Sequence, residues 1–133
     1  MNADHVALVE RLYAAFAKGD VPTVLAALDS RVEWNEAEGY AYADGNPYVG
    51  PEAVLQGVFA RLGQEWDDFR VHLHSAVPTP DGAVSFGRYA GAFKATGRRL
   101  DAPFAHVWTL KDGKVVAFQQ YTDTAQFVRI MTQ

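Results

Sequence analysis

The sequence predicts a single α+β domain over residues 1–133, with helices first and a largely antiparallel sheet after them. Two observations predict this class. Apolar residues recur with helical spacing in residues 3–18 and again after Gly50. From residue 69 to residue 123, apolar and polar side chains instead alternate, and short segments rich in Gly, Pro and Asp interrupt them. That pattern is typical of successive strands.

Composition narrows the classes of partner and chemistry. The 133 residues include 16 acidic and 12 basic ones without a basic cluster, so neither nucleic acid nor an anionic membrane is an expected partner. The absence of cysteine excludes disulfides, thiolate metal sites and cysteine nucleophiles. No apolar run approaches membrane-spanning length and no signal peptide is visible, so we expect a cytoplasmic location.

The first third of the sequence predicts a helical hairpin followed by a strand. Gly19 fits the left-handed position that ends the first helix, and Asp20 opens a second short helix with Pro22 in its first turn. Residues 31–36 alternate and are predicted to form a strand. One side of that strand carries Val32, Trp34 and Glu36.

Residues 37–50 are predicted to form a loop, because Gly, Asp, Asn and Pro prevent a strand from continuing. The loop contains Tyr40, Tyr42 and Tyr48. Two interpretations remain open: a lid that folds over a cavity mouth, or a loop pinned to the domain by its aromatic side chains. A third helix is predicted to begin at Pro51.

Residues 104–123 form the most informative stretch. Asp112-Gly113 suits a tight turn between two strands because both residue types tolerate positive φ. If Lys111 pairs with Lys114 across this turn, His106 lies opposite Gln119. One face of the hairpin then carries Phe104, His106, Trp108, Gln119, Tyr121 and Asp123. The apolar residues of the opposite, outward face include Val107, Val116 and Phe118.

The strand over residues 83–95 is predicted to turn at Thr96-Gly97 and to pair with the next strand. This pairing adds Tyr89 to the face that holds His106, and it places Gly87 across from His106. A glycine there leaves space for another molecule to approach. Aromatic rings mixed with a few polar groups are typical of a small-molecule cavity. The alternative is a plain aromatic core.

Three ionisable residues form the candidate catalytic set: His106, Asp123 and Glu36. A histidine, or a carboxylate whose pKa an apolar environment raises, can move a proton on a carbon next to a carbonyl group. Each has a structural alternative: His106 as a buried histidine bonded to Gln119, Asp123 as a cap at the end of the last strand, and Glu36 as a solvated acid. The candidate substrate-binding residues are Trp34, Tyr89, Phe104, Trp108, Gln119 and Tyr121.

We expect no metal and no cofactor. His72 and His74 share one strand face with a spacing that suits zinc, but the sequence offers no third ligand nearby. A glycine-rich phosphate loop and a Gly-x-Ser-x-Gly motif are both absent from the sequence, so nucleotide binding and serine hydrolase chemistry lack support.

Several motifs together resemble the nuclear transport factor 2-like superfamily, and within it the SnoaL-like and ketosteroid isomerase-related group. The motifs are Gly19-Asp20, Val32-Glu33-Trp34, Gly50-Pro51-Glu52 and DAPFAHVWTLKDGKVVAFQQYTDT. The resemblance spans nearly the whole chain. It implies a conical fold in which N-terminal helices pack on a strongly curved sheet around a deep apolar pocket. It also implies a homodimer through the outer sheet face.

The resemblance does not carry over known catalytic residues. Ketosteroid isomerase uses an Asp base, a Tyr donor and a protonated Asp donor, whereas the matching positions here are Trp34, Leu12 and His106. Polyketide cyclases of this fold carry an acid where this chain has Gln119 or Gln120. Steroid isomerase activity is therefore not expected. The resemblance implies a cofactor-independent isomerase, cyclase or dehydratase acting on a small apolar carbonyl compound. The alternative is a non-catalytic binding protein for a hydrophobic metabolite.

Overall fold

The computed structural model describes residues 2–132. The helices are α1 (Asn2–Ala17), α2 (Val21–Ala26), α3 (Pro51–Val54), α4 (Ala60–Glu65) and α5 (Thr124–Met131). A 3-10 helix spans Ala41–Gly45, and a π-helical turn (Leu55–Phe59) joins α3 to α4. The strands are β1 (Leu28–Asn35), β2 (Tyr48–Val49), β3 (Trp66–Thr79), β4 (Gly82–Phe93), β5 (Arg99–Lys111) and β6 (Lys114–Thr122).

The six strands form one mixed sheet in the order β2-β1-β6-β5-β4-β3. β1 pairs with β6 in parallel, and the other neighbours are antiparallel. α1 packs against β3 and β4, and α5 packs against β5. The predicted α+β class is confirmed. Within residues 2–132, no helix is both long enough and apolar enough to cross a lipid bilayer.

The helical hairpin follows from local sequence signals. The apolar face of α1 buries Val9 and Leu12 in the core. Gly19 adopts a φ of +70° just after α1, which is the left-handed conformation that glycine favours. The Asp20 carboxylate then accepts a hydrogen bond from the Thr23 backbone N–H at 3.3 Å and caps α2. The chain therefore reverses where the sequence predicts.

The loop over residues 37–50 is fixed by its own side chains. The Tyr48 hydroxyl donates to the Tyr42 carbonyl oxygen at 2.6 Å, and Tyr42 is almost completely buried. Arg61 forms an ion pair with Asp44 at 2.9 Å and lies over the Tyr42 ring. Of the two interpretations of this loop, the structure favours the pinned loop over the lid.

A β-bulge changes the predicted register of β5 and β6. Asp112 and Gly113 both have positive φ, and Lys111 pairs with Lys114, as predicted. Beyond the turn, Val116 is an extra residue without a partner in β5. His106 therefore lies opposite Gln120, and the predicted pairing with Gln119 is wrong. The shift reverses every later side chain of β6, because side chains alternate between faces.

The pairing of β4 with β5 is displaced by two residues from the prediction. Gly87 lies opposite Phe104, and Ser85 lies opposite His106. A displacement of two preserves the face, so Tyr89 shares a face with His106 as predicted. The predicted open space across from His106 is wrong, because Ser85 fills that position. Gly87 instead allows β3 and the Phe104 ring to approach closely.

The helix α5 was not predicted. The Asp123 carboxylate accepts a hydrogen bond from the Gln126 backbone N–H at 3.2 Å and caps the helix. Phe127 and Ile130 are buried in the core. At the other end, the Arg98 guanidinium donates to the backbone carbonyl of Thr132 at 2.9 Å. The alternative in which Asp123 has a capping role matches the structure, although the capped element is a helix.

Substitution of Gly87 tests the close approach of β3. A Cβ at this position would lie 1.9 Å from the His72 carbonyl oxygen and 2.6 Å from Phe104 Cζ. We expect Gly87→Ala to lower the free energy of unfolding by about 3 kcal/mol, since the backbone must shift. Urea denaturation measures this change. Gly63→Ala in α4 is the control: apart from its chain neighbours and its own helix backbone, its Cβ meets no atom of residues 2–132 within 4 Å, so stability should be unchanged or rise by about 0.5 kcal/mol. Equal stabilities of the two variants would contradict the packing.

Candidate functional site

A cavity lies between the helices and the inner face of the sheet. The cavity volume is about 70 Å³, several times the roughly 10–15 Å³ that one water needs. Most of its surface is aromatic or aliphatic. The aromatic residues of its inner walls include Tyr13, Trp34, Tyr89, Trp108 and Phe118. The cavity therefore suits a small molecule with an apolar body.

The cavity opens where four elements meet. Its half-buried lining residues come from α1, the π-helical turn, α4 and β3, whereas those on β1, β4, β5 and β6 are buried. The half-buried residues are Phe16, Phe59, Leu62, Phe69 and Val71. We call these five residues the mouth. The pinned loop contributes Tyr40 to the interior and no residue to the mouth.

Glu36 is the carboxylic acid of the cavity. It follows β1 directly, on the side that holds Trp34, and only 3% of its surface is exposed. The Trp34 indole N–H donates to Glu36 Oε2 at 3.0 Å. Burial raises the pKa of Glu36 to about 7, while the Trp34 hydrogen bond and the charge of Arg61 act in the opposite direction. The interpretation of Glu36 as a solvated acid is wrong.

His106 is buried between two tyrosines. Its Nδ1 is hydrogen-bonded to the Tyr13 hydroxyl and its Nε2 to the Tyr89 hydroxyl. Burial lowers the pKa of His106 to about 3, so the imidazole is neutral over the physiological range. Burial also raises the pKa of both tyrosines, which keeps both phenols protonated.

Hydrogen bonds continue from the two tyrosines into the sheet. The Tyr13 hydroxyl lies 2.6 Å from Ser85 Oγ, to which the Trp108 indole N–H donates at 2.9 Å. At the other end, Gln120 Nε2 donates to the Tyr89 hydroxyl at 2.8 Å. The Gln120 carbonyl oxygen accepts the Ala37 backbone N–H at 3.0 Å, which fixes the orientation of the amide. We call the groups from Trp108 to Gln120 the hydrogen-bond chain.

Tyr40 is a third tyrosine of the cavity lining, and its hydroxyl differs from those of Tyr13 and Tyr89 in its hydrogen bonding. Only 4% of its surface is exposed, and it lines the cavity beside Phe127 and Tyr42. Among residues 2–132, no hydrogen-bond partner of its hydroxyl is found. Burial, with the nearby Glu36 carboxylate, raises its pKa well above the usual value. Tyr40 therefore presents a neutral, unpaired phenol to the cavity.

The predicted site residues divide into three groups. The structure brings together five of them in the cavity lining: Trp34, Glu36, Tyr89, His106 and Trp108. Phe104 lies behind them and stacks on the His106 ring with centroids 4.1 Å apart. The remaining three lie outside the cavity: Gln119, Tyr121 and Asp123.

The bulge explains two of these displacements. Because Val116 shifts the register, Gln119 and Tyr121 point to the outer face, where Tyr121 is 57% exposed. Their predicted inward orientation is wrong, and so is the predicted outward orientation of Phe118, which is buried against Trp34. Asp123 is exposed because its carboxylate faces the N-terminus of α5.

Sequence reasoning missed four polar residues of the site: Tyr13, Tyr40, Ser85 and Gln120. Helical spacing marks Tyr13 only as an apolar-face residue of α1. Tyr40 carries a signal, since three tyrosines in one polar loop are more than a solvated loop requires. Ser85 follows from the correct β4–β5 register, and Gln120 follows only once the bulge is known. Within residues 2–132, no three His, Asp or Glu side chains cluster closely enough to hold a metal ion.

Comparison with known proteins identifies the family of this chain. Residues 9–118, most of the chain, match the sequence family described as the SnoaL-like domain. The chain belongs to this family. A search of curated proteins finds no match to this SnoaL-like chain.

Solved structures with the same fold support the assignment. An NTF2-like protein from Burkholderia thailandensis E264 has 33% identity and a TM-score of 0.91, over 96% of this chain and 97% of that chain. An NTF2-like protein of unknown function from Burkholderia pseudomallei K96243 has 27% identity and a TM-score of 0.88, over 98% of each chain. TerC, co-crystallised with polyporic acid, has 23% identity and a TM-score of 0.85, over 98% of this chain and 99% of that chain. The last likeness shows the fold alone.

The raised pKa of Glu36 predicts a pH-dependent stability. Between the ordinary pKa of 4.5 and the folded value of about 7, the folded state holds a proton that the unfolded state releases. Stability of the wild type therefore falls as pH rises through this window. Glu36→Gln removes this loss. We expect the free energy of unfolding of Glu36→Gln, relative to that of the wild type, to increase by about 3 kcal/mol from about pH 4 to about pH 8.

Urea denaturation at a series of pH values measures this difference. Glu33→Gln is the matched control, because Glu33 lies on the exposed side of β1. Its stability difference from the wild type should not grow with pH in the same window. Parallel curves for Glu36→Gln and the wild type would contradict the assignment of a raised pKa to Glu36.

Proposed function

We propose that this chain is a cofactor-independent enzyme that moves a proton at a carbon next to a carbonyl group in a small, mostly apolar compound. Isomerases, cyclases and dehydratases all use this step. The observation that carries the proposal is the Glu36 carboxyl, buried in an aromatic cavity with its pKa raised to about 7. A general base works best when its pKa lies near the operating pH. Glu36 meets this condition at neutral pH.

The proposed step balances without a cofactor. The Glu36 carboxylate takes the proton as the C–H bond breaks. The electron pair forms a carbon–carbon double bond and moves negative charge onto the carbonyl oxygen. Return of the proton to another carbon completes an isomerisation. Loss of a neighbouring hydroxyl group with that proton, as water, completes a dehydration. Attack of the enolate carbon on a second carbonyl of the same molecule closes a ring, and the alkoxide that forms takes the proton back from Glu36.

His106 takes part in this proposal as a positioning residue and not as a base. Both of its ring nitrogens are occupied by tyrosine hydroxyls, and its pKa of about 3 keeps it neutral. Trp34, Tyr89 and Trp108 would contact the apolar body of the substrate and exclude water. Asp123 takes no part, because its carboxylate caps α5.

Exchange of α-hydrogens for deuterium tests the proposal. Acetone, cyclohexanone and acetophenone in D₂O serve as probes of increasing size, followed by proton NMR. We expect the protein to accelerate exchange of at least one ketone, with a rate that rises with pH and a midpoint at about pH 7. Glu36→Gln should lower the rate at least about 100-fold.

The control for this experiment is Asp123→Asn, which changes an exposed carboxylate outside the cavity and should keep the wild-type rate. Exchange by Glu36→Gln at the wild-type rate would refute Glu36 as the base. Absence of exchange with all three ketones would refute the enzymatic proposal.

The second candidate function is a non-catalytic binding protein for a hydrophobic metabolite. It is supported by the mostly apolar cavity and by the structural neighbour TerC, which was co-crystallised with polyporic acid. Binding of the ketones without any C–H exchange would favour this function. Binding together with exchange that depends on Glu36 would exclude it.

We also propose that two copies of the chain pair through the outer sheet face. Phe86 on β4, Val107 on β5 and Tyr121 on β6 are 42%, 37% and 57% exposed, and they lie on neighbouring strands. Adjacent exposed apolar residues are typical of an interface. A sheet face that packs on itself about a two-fold axis would cover all of them in both copies.

Light scattering tests the dimer. We expect the wild type to have the mass of two chains at micromolar concentration and Val107→Glu to have the mass of one. Val128→Glu is the matched control, since Val128 is 51% exposed and lies on the helix α5, outside the three strands of the proposed interface. A single-chain mass for the wild type, or a two-chain mass for Val107→Glu, would contradict the proposed interface.

A further inference from the structure

The four central groups of the hydrogen-bond chain carry one more polar hydrogen than the contacts between them need. Ser85, Tyr13, His106 and Tyr89 follow one another through three contacts: Ser85 with Tyr13, Tyr13 with His106, and His106 with Tyr89. A serine, a phenol and a neutral imidazole each carry one polar hydrogen. Four hydrogens are therefore available for three contacts, and one hydrogen remains unassigned.

At both ends of the hydrogen-bond chain, the last group can only donate a hydrogen bond. The Trp108 indole has one N–H and no acceptor, and it donates to Ser85 Oγ. Gln120 donates to Tyr89 through its nitrogen, because its oxygen already accepts the Ala37 backbone N–H. Neither end accepts the spare hydrogen. It must lie on Ser85, Tyr13 or Tyr89.

Ser85 is the least favourable place for the spare hydrogen. Its exposed fraction is 0%, and its two partners are the Trp108 N–H and the Tyr13 hydroxyl. A hydroxyl hydrogen without an acceptor in a fully buried position costs about 1–3 kcal/mol. Ser85 therefore donates to Tyr13. The spare hydrogen then belongs to one of the two tyrosines, and both line the cavity.

Of the two tyrosines, Tyr89 is the one linked to the Glu36 segment, because Gln120 bonds both to the Tyr89 hydroxyl and to the backbone N–H of Ala37, directly after Glu36. Tyr89 interacts electrostatically with Glu36, and Tyr40 interacts with both Glu36 and Tyr89. Tyr40, of which 4% is exposed, independently lines the cavity, and its hydroxyl has no hydrogen-bond partner among residues 2–132. Two phenolic donors thus lie near Glu36, which in the proposed function takes a proton from the carbon next to the carbonyl group.

We infer that Tyr40 and Tyr89 form a subsite for the oxygen atom of the ligand, and that His106 positions Tyr89 by holding its own proton on Nε2. In this arrangement Tyr13 donates to Nδ1, and Nε2–H donates to the Tyr89 oxygen. The Tyr89 oxygen accepts from His106 and Gln120, so its own hydrogen points away from both, toward the cavity. The inference deepens the proposed function and rests on it for the placement of the carbonyl group.

The subsite defines the ligand class more narrowly than the cavity shape does. The ligand must carry an oxygen that accepts two hydrogen bonds, as a ketone, aldehyde or enolate oxygen does. A hydrocarbon of the same shape would leave both phenols unpaired. A ligand with only donor groups at this point would meet two further donors. Specificity therefore arises from the cost of an unpaired buried group.

The tautomer of His106 is the first test and needs no ligand. Nitrogen-15 NMR of the wild type with labelled histidine distinguishes a protonated ring nitrogen from an unprotonated one, and His106→Asn assigns the signals. We expect Nε2 to be protonated and Nδ1 to be unprotonated at neutral pH. A proton on Nδ1 would place the spare hydrogen elsewhere and overturn the inference.

Matched ligands provide the second test. Acetophenone and α-methylstyrene have nearly the same shape, but the styrene carries a CH₂ group in place of the carbonyl oxygen. We expect Tyr40→Phe and Tyr89→Phe each to weaken acetophenone binding about fivefold relative to α-methylstyrene. Tyr48→Phe is the control, because its buried hydroxyl bonds to the Tyr42 carbonyl outside the cavity. An unchanged ratio in both cavity variants would overturn the subsite.

The carbonyl stretch of carbon-13-labelled acetophenone separates this inference from the proposed function. A shift to lower frequency in the wild type, reduced in both cavity variants, supports the subsite even if no C–H exchange occurs. In that case the proposed enzymatic function fails and the subsite stands. Exchange that depends on Glu36, without any such shift, would leave the function standing and overturn the subsite.

Discussion

The extra residue at Val116 in β6 decides which side chains reach the interior. Side chains of a strand alternate between faces, so one inserted residue exchanges inward and outward positions beyond it. Phe118 and Gln120 point inward as a result. Gln120 then links three parts of the fold, since its amide bonds both to Tyr89 on β4 and to the backbone of Ala37 after β1. Without the bulge, Gln119 would occupy this side of the sheet and the hydrogen-bond chain would lose its fixed end.

Burial acts on the two ionisable groups of the cavity in opposite directions. It raises the pKa of the Glu36 carboxyl and lowers the pKa of the His106 imidazole, and in each case it favours the neutral form. The cavity therefore holds an acid and a base without a large charge. Negative charge that develops on a bound molecule would find phenolic donors in the cavity lining, whereas no Lys or Arg among residues 2–132 lines the cavity. This environment favours neutral ligands over permanently charged ones.

Local signals specified most of the fold. Gly19 and Asp20 mark the turn between the first two helices, and Asp112-Gly113 marks the hairpin, because each has a conformational role that few other residues fill. The face of Tyr89 was predictable even though its pairing was displaced, since a displacement of two residues preserves alternation. The bulge was not predictable in this way. Val115 and Val116 are adjacent and identical, so the hydrophobic pattern fits either register.

Long-range contacts limited prediction of the site. Tyr13 and His106 are 93 positions apart in the sequence, and only the packing of α1 on the sheet brings their side chains together. Local spacing placed Tyr13 on the apolar face of its helix and His106 on the inward face of its strand, but it could not show that they share a hydrogen bond. Glu36 was predictable as a member of the inward side of β1. Its burial depends on the pinned loop, which no periodic pattern describes.

The mouth and the hydrogen-bond chain lie mostly on different parts of the fold, and α1 is the one element that carries residues of both, Phe16 and Tyr13. The five mouth residues come from three helical elements and β3, whereas Ser85, His106 and Tyr89 lie on the central strands β4 and β5. Substitutions that widen or narrow the mouth can therefore accumulate while the polar interior stays intact. During divergence of related genes, the range of admitted molecules and the chemistry performed on them can change separately. Natural selection can therefore act on the mouth and on the polar interior almost independently.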